Sequence, residues 1–380
     1  MGIGKRALEG LVSRGGPSVL DAYDGQRVLI TGHTGFKGSW LTVWLSLLRA
    51  TVTGFALAPE DPSLFLDAGV DKLCDHRVGD IRDARAVSAV LERCDPQIVF
   101  HLAAQALVSA AHDDPLATFE VNVMGTLHLL EAVRRRGRPC AVVIVTSDKC
   151  YRPSDRPHRE SDPLGGDDPY SASKAAVEVL AAAYRTSYLP ATEVARHGIP
   201  IATVRAGNVI GGGDWAADRI VPDTVRALMR GVPVTLRNPD HVRPWQHVLE
   251  PLDGYLRIGA GLLGAPSGSA HAADLADAWN FGPGPGEDRT VRALVESFVA
   301  LWGSGSWVEA PRSGLAREVP HLRLDSTKAR ERIAWAPHWT LDETLARTVR
   351  WYRARAELAP ASHLLSETVT QIRDHMAATA

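Results

Sequence analysis

Val28-Leu29-Ile30-Thr31-Gly32-His33-Thr34-Gly35-Phe36-Lys37-Gly38 decides the fold. The apolar opening reads as a buried strand, the three glycines as a turn, and the amphipathic run that follows as a helix. In the GxxGxxG spacing of Gly32, Gly35 and Gly38, one glycine permits the tight turn, one lets backbone approach a phosphate, and one packs helix against strand. A strand that feeds a helix N-terminus in this way holds a dinucleotide pyrophosphate, with Phe36 and Lys37 in the same turn.

Working outward, apolar runs recur as strands at 27–31, 51–56, 97–102, 141–146 and 201–205, with a short strand ahead of Val78. Helical patterns at 39–49, 84–93, 118–136 and 171–188 lie between them. The alternation predicts an α/β fold, a doubly wound parallel sheet of the Rossmann kind, with ligands at the strand carboxyl ends. Residues 25–210 form this dinucleotide-binding domain and contain the catalytic residues. Residues 1–24 read as an arm that is mobile or packs on a neighbour. Beyond Gly211 the pattern loosens into glycine- and proline-rich loops with dispersed tryptophans, predicting a smaller mixed α/β region, 211–380, that mainly binds substrate and interleaves with the first domain. Its helices are expected at 224–230, 249–262, 291–302 and 341–355, with 264–276 a surface loop.

The chain has 380 residues and a formal net charge of -2. Its arginines are scattered, so no basic stripe points to nucleic acid or a membrane surface, and a small ligand is the expected partner. Cys74, Cys94, Cys140 and Cys150 show no zinc spacing, no metal site is expected, and no signal peptide or membrane-length apolar run appears. A reduced, cytoplasmic protein is the expectation. Only Lys5, Lys37, Lys72, Lys149, Lys174 and Lys328 are lysines. Three of these fall inside the motifs, where a compact, titratable ammonium has a use that arginine cannot serve.

The second strand ends in Phe55-Ala56-Leu57-Ala58-Pro59, with neither the usual ribose-binding acid nor an arginine for a 2′-phosphate. Glu60 or Asp61 can stand in for the acid, so NAD is preferred to NADP. Asp80, followed by Ile81, is placed to accept from the adenine amino group. Leu102, Ala103 and Ala104, small or slender residues after His101, let backbone lie beside the nicotinamide ribose, and Gln105 follows.

Thr146-Ser147-Asp148-Lys149 and Pro169-Tyr170-Ser171-Ala172-Ser173-Lys174 carry the chemistry. Tyr170 and Lys174, four apart on a helix, share one face. An ammonium about 5 Å from the phenol, at an effective dielectric near 20, would bring tyrosine from about 10 to about 8, with a positive nicotinamide ring adding the rest. Ser147 can hold the same substrate hydroxyl. Asp148 and Lys149 add an acid and a base side by side. A simple dehydrogenase or epimerase has no need of them, whereas loss of water next to a ketone needs both.

At these residues the chain resembles the extended short-chain dehydrogenase/reductases, and within them the CDP-glucose 4,6-dehydratases. The resemblance runs over residues 25–375 and includes Arg205-Ala206-Gly207-Asn208-Val209-Ile210-Gly211-Gly212-Gly213-Asp214-Trp215, Arg243-Pro244-Trp245-Gln246-His247 and Trp279-Asn280-Phe281-Gly282-Pro283. It implies oxidation at C4 with Tyr170, Lys174 and Ser147, loss of water across C5–C6 with Lys149 and Asp148, and a tightly held NAD regenerated in each turnover. It further implies a nucleotide-sugar substrate held by Gln105, Asn208, Asn280 and the candidate phosphate ligands Arg219, Arg237 and Arg243. A homodimer through the faces of 118–136 and 171–188 is also implied. Where the family usually reads Val-Arg-x-Ser-Tyr, this chain has Val108-Ser109-Ala110-Ala111-His112, and His112 could fill the place of the lost polar groups. An epimerase, a dehydratase of another sugar nucleotide, and a silent NAD-binding scaffold are the competing expectations.

Overall fold

The computed structural model describes residues 19–264, 270–284, 286–309 and 322–379. Seven parallel strands form one sheet in the order β7-β6-β5-β4-β1-β2-β3. They are β1 Arg27–Thr31, β2 Thr51–Ala56, β3 Asp75–Val78, β4 Ile98–His101, β5 Ala141–Val145, β6 Ile201–Ala206 and β7 Ala278–Phe281. The central strands are buried on both faces, which is why they read as continuous apolar runs rather than alternating ones. The strand order reverses between β1 and β4, where Thr31 pairs with His101, and this opens a crevice at their carboxyl ends.

Helices α1 Phe36–Leu47, α2 Ala84–Cys94, α3 Gly125–Arg136 and α4 Pro169–Ser187 cover the sheet. The run predicted at 118–136 is broken by a π-helical turn, Glu120–Met124, ahead of α3. Asn122 on that turn donates to the Ser173 hydroxyl (2.8 Å) and the Gln105 carbonyl (3.1 Å), tying the end of β4 to α4. Pro169 at the first position of α4 and Asp168, which accepts from Ser171 N–H, set where that helix begins.

The chain returns to the large sheet after residue 211. Helix α5, Leu249–Leu263, is buried along most of its length, and β7 pairs with β6. Glu250 on α5 accepts from the backbone N–H groups of His338 and Trp339, and it lies 3.2 Å from the His375 ring. That carboxylate therefore joins α5 to the approach of α6, Leu341–Ala356, and to the closing helix α7, Ala361–Thr379. The Gly211–Trp215 loop is trapped between α1 and α6. Trp40 donates to the Gly212 carbonyl (3.0 Å), and a Cβ on Gly212 would lie 2.1 Å from the Trp351 ring.

Two expectations change. The arm was drawn to residue 24, but Val19–Tyr23 is a 3-10 turn with Leu20 and Tyr23 buried, and the Tyr23 hydroxyl donates to the Leu256 carbonyl (2.7 Å). A phenol and a leucine buried against α5 outweigh the weak local pattern. Residues 1–18 lie outside the described residues. The supposed loop at 264–276 contains a helix, Ala270–Leu275, whose Ala272 and Leu275 are buried, while 265–269 lie outside the described residues. Among the described residues no helix is long and apolar enough to cross a membrane.

Candidate active site

The glycine turn is shaped by close approach. Gly32 has φ of +78°, and a Cβ there would meet the Ala103 backbone nitrogen at 2.6 Å. A Cβ on Gly38 would lie 2.1 Å from the Gly32 carbonyl oxygen, so α1 can sit on the turn only without a side chain. Gly35 differs, because a Cβ there would find only the Gly32 carbonyl, at 3.4 Å, and otherwise open space. An uncovered backbone at a helix N-terminus is what a pyrophosphate requires, and the residues present fit that group. Beside the turn, Leu102 and Ala103 close on Gly32, and Ala104 follows them. The His101 ring lies between the hydroxyls of Thr31 (2.7 Å) and Thr126 (2.9 Å), and burial pushes its pKa down to about 3, so it is a neutral strut.

Asp80 lies two residues beyond β3 and is held below the usual carboxylate range by Arg82, which donates to it at 2.6 Å. Ile81 is buried, and a Cβ on Gly125 of α3 would lie 2.7 Å from it. Glu60 and Asp61 are exposed beyond β2 and hold no ion pair among the described residues.

Thr146, Ser147 and Asp148 leave β5 as a buried strand end, and Ser147 caps a 3-10 turn, Asp148–Cys150, by accepting from Lys149 N–H. The Ser147 hydroxyl also donates to the Asp148 carboxylate (3.0 Å). Burial pushes Asp148 above its ordinary value against the opposing pull of Lys149, Ser147 and Lys37. A raised pKa favours the protonated form and suits the group to give up a proton. The Lys149 side chain is half-buried and has no hydrogen bond among the described residues. Lys174 reaches the Val145 carbonyl (3.3 Å), and burial lowers its pKa to about 8. The Lys37 charge is felt by Asp148, and burial followed by the Arg219 charge lowers Lys37 to about 7.

Tyr170 departs from the expectation. Its pKa is pushed up to about 12, chiefly by burial, partly countered by a Ser147 hydrogen bond and the Arg219 charge. Desolvation of the phenolate outweighs the lysine one turn away, so without further positive charge Tyr170 stays protonated near neutrality.

Arg219 pairs with Asp214 (2.9 Å) and acts on both Tyr170 and Lys37, so the structure brings it to the chemistry. Arg237 is joined to the same loop through Asp218 (2.7 Å). Arg243 is part-buried on a short strand, Val242–Pro244, that pairs with Asp288–Thr290. Asn208 is half-buried and its side chain makes no hydrogen bond among the described residues, so its amide is open to a ligand.

Two residues expected on the substrate are engaged elsewhere. The Gln105 amide donates to the Leu107 carbonyl (2.9 Å) and the Thr118 hydroxyl (3.0 Å), while its oxygen accepts from Leu107 N–H. Asn280 is fully buried, accepts from the Tyr151 hydroxyl (2.7 Å) and donates to the His158 carbonyl (2.9 Å). Both amides are satisfied by their own chain and brace the loops around the site. His112 lies in the last turn of a short helix, Val108–Asp113, and is exposed without a hydrogen bond among the described residues.

Sequence reasoning passed over Tyr255, Asp214 and Glu178. Tyr255 on α5 is fully buried, has no partner for its hydroxyl, feels the charge of Asp148, and has the Lys37 ammonium 5.8 Å from its ring centroid. Glu178 had a signal, being an acid one turn after Lys174 on the same helix face.

Residues 28–261 match the pattern of the NAD dependent epimerase/dehydratase family. The chain is 44% identical to the CDP-glucose 4,6-dehydratase of Salmonella typhimurium, over 94% of this chain and 98% of that one. It is 28% identical to the UDP-glucose 4-epimerase of Mycolicibacterium smegmatis, over 87% of this chain and 100% of that one. Its fold is similar to the crystal structure of a dTDP-glucose 4,6-dehydratase from Streptomyces venezuelae with NAD and TYD bound. That match has a TM-score of 0.70 and 25% identity, covering 87% of this chain and 98% of that one.

Proposed function

This chain belongs to the NAD dependent epimerase/dehydratase family, and we propose that within it the protein converts CDP-glucose to CDP-4-keto-6-deoxyglucose. The observation that carries this reading is Asp148, a carboxyl group whose burial favours its protonated form, directly beside Lys149, whose side chain has no hydrogen bond among the described residues, at the strand end that also presents Ser147. Transient C4 oxidation, the common step of epimerase and dehydratase, needs neither group. The greater identity to the CDP-glucose dehydratase than to the epimerase points the same way.

Held at the glycine turn by Gly32, Gly35 and Gly38, NAD would supply a hydride acceptor for C4 and a hydride donor for C6. Tyr170 accepts the C4 hydroxyl proton while Ser147 holds that oxygen. The phenol stands at about 12 with the Arg219 charge already acting on it, so it needs a further positive charge, which a bound nicotinamide ring would bring, to act as a base near neutrality. Once C4 is a ketone, the C5 proton is acidic. Lys149 removes it, Asp148 delivers a proton to the C6 hydroxyl as water departs, and the lysine returns its proton to C5 as C6 is reduced. Arg219, Arg237 and Arg243 bind the diphosphate and nucleotide, with Asn208 beside them.

In this reading residues 25–210 bind the cofactor, 211–380 mainly bind substrate, and the protein works in the cytoplasm. The protein is a homodimer through α4 and the helical run ahead of α3, where Leu116, Phe119, Met124, Val179 and Tyr188 are exposed. Light scattering should give twice the chain mass, and a monomer at micromolar concentration would refute the pairing.

The test is incubation of the purified protein with CDP-, TDP-, UDP- and GDP-glucose and mass analysis of each product. Loss of one water from the CDP sugar alone is expected. Conversion to an isomer of unchanged mass would establish an epimerase instead.

A further inference from the structure

Glu178 is a buried acid near the site that neither oxidation nor elimination uses. It follows Lys174 by a single turn of α4 and is 1% exposed. One carboxylate oxygen accepts from the Thr146 hydroxyl (2.5 Å), and the other accepts from the Thr203 hydroxyl and from Arg205, each at 2.7 Å. Arg205 also donates to the Tyr151 hydroxyl (2.5 Å) and the Glu160 carbonyl (3.2 Å). Glu178 thus touches the residue before Ser147 and, through Arg205, the residue after the Asp148–Cys150 turn. Placing two charges this deep is costly in desolvation, and apolar replacements of such pairs are often no less stable. The pair therefore points to an electrostatic task in addition to a fastening.

Lys174 identifies the task. The groups that act on it from other elements are the Cys150 thiol of the catalytic turn, His101 at the end of β4 and Lys37 of α1, and Tyr170 lies one turn before it on its own helix. Burial keeps Cys150 and His101 uncharged near neutrality, and Lys37 carries the same sign as Lys174. Glu178 is the anion that favours the ammonium. Its own charged neighbours are Arg205 on β6 and Arg185 on α4.

We propose that Glu178 is a positioning residue of the oxidation step: it is the counter-charge that keeps Lys174 an ammonium beside Tyr170, and it pins the strand end that carries Ser147 and Asp148. The inference deepens the dehydratase reading and rests on it for the identity of the step.

With six lysines, the full chain labelled with carbon-13 at the lysine ε position gives six NMR signals, and Lys174→Arg identifies the one that matters. In the NAD-loaded protein, Glu178→Gln should lower the Lys174 titration midpoint by about one pH unit, the scale of a single charge one helical turn away in a part-screened interior. The alkaline limb of the pH–kcat profile should move down by the same interval. Thr203→Val removes an anchoring hydrogen bond but keeps the charge, so it should leave the midpoint in place and scale the profile uniformly. An unmoved midpoint in Glu178→Gln, or an equal displacement in Thr203→Val, overturns the proposal. Should Glu178→Gln not fold, Glu178→Asp withdraws the charge by one methylene, and an unmoved midpoint there overturns it as well. The titration needs no turnover, so failure of the dehydratase reading in the product assay would be seen separately.

Discussion

Replacing Tyr170 by phenylalanine is expected to lower kcat on CDP-glucose by about 10³-fold, within the span assigned to a positioned general base. The substitution removes one oxygen from a residue that is 7% exposed, so α4 and its cap should stay in place. Affinity for NAD and for the sugar nucleotide should change by no more than about threefold, because one hydrogen bond contributes only about 1 kcal/mol. Single-turnover measurement of reduced nicotinamide absorbance separates the two effects. The pH dependence has a definite sign. Burial holds the phenol at about 12, so wild-type oxidation should accelerate as pH rises from 6 until Lys174, lowered to about 8, loses its charge. Retention of more than a tenth of wild-type turnover in Tyr170→Phe would mean that another group takes the proton. Lys37, lowered to about 7 and near enough to Asp148 and Lys174 to feel their charges, would be the next group to replace.

Asp148→Asn should separate the two halves of the reaction. C4 oxidation should survive within about tenfold, since Ser147 and Tyr170 remain, while water loss should fall by about 10²- to 10⁴-fold as the general acid is lost. Reduced cofactor and the 4-keto sugar should then accumulate, the former visible in the near ultraviolet and the latter by mass without loss of water. Lys149→Ala should give the same pattern from the side of the base. The group works as an acid only while protonated, and burial raises its pKa, so elimination should weaken as pH rises through that elevated value. If neither variant accumulates reduced cofactor and both lose all activity, Asp148 serves oxidation through its 3.0 Å contact with Ser147, and the division of labour proposed above is wrong.

The residues that sequence reading placed well are those whose neighbours in the chain define their surroundings. Gly32 and Gly38 admit no Cβ, and the strand and helix on either side of them state why. Ser147 and Asp148 follow an all-apolar strand, which fixes them at a carboxyl edge. Gln105 and Asn280 show the limit of such reading. Each is an amide next to the cleft, and nothing local tells whether it faces a ligand or its own chain. Thr118 and Tyr151, which engage them, lie 13 and 129 residues away. Tyr170 shows another limit, because a pairwise estimate from helix spacing took account of a charge and left out burial, and burial is the larger effect.

By itself the sequence determined the doubly wound sheet, the glycine turn and the presence of an acid and a base after a hydroxyl, because all three depend on short-range geometry and on patterning repeated along each element. Tertiary structure alone decided which of these groups carry charge and which amides are free. Desolvation and long-range pairing set both, as the burial of Asp148, the elevated phenol of Tyr170 and the Glu178–Arg205 pair behind Lys174 show, and neither can be summed from residues adjacent in the chain.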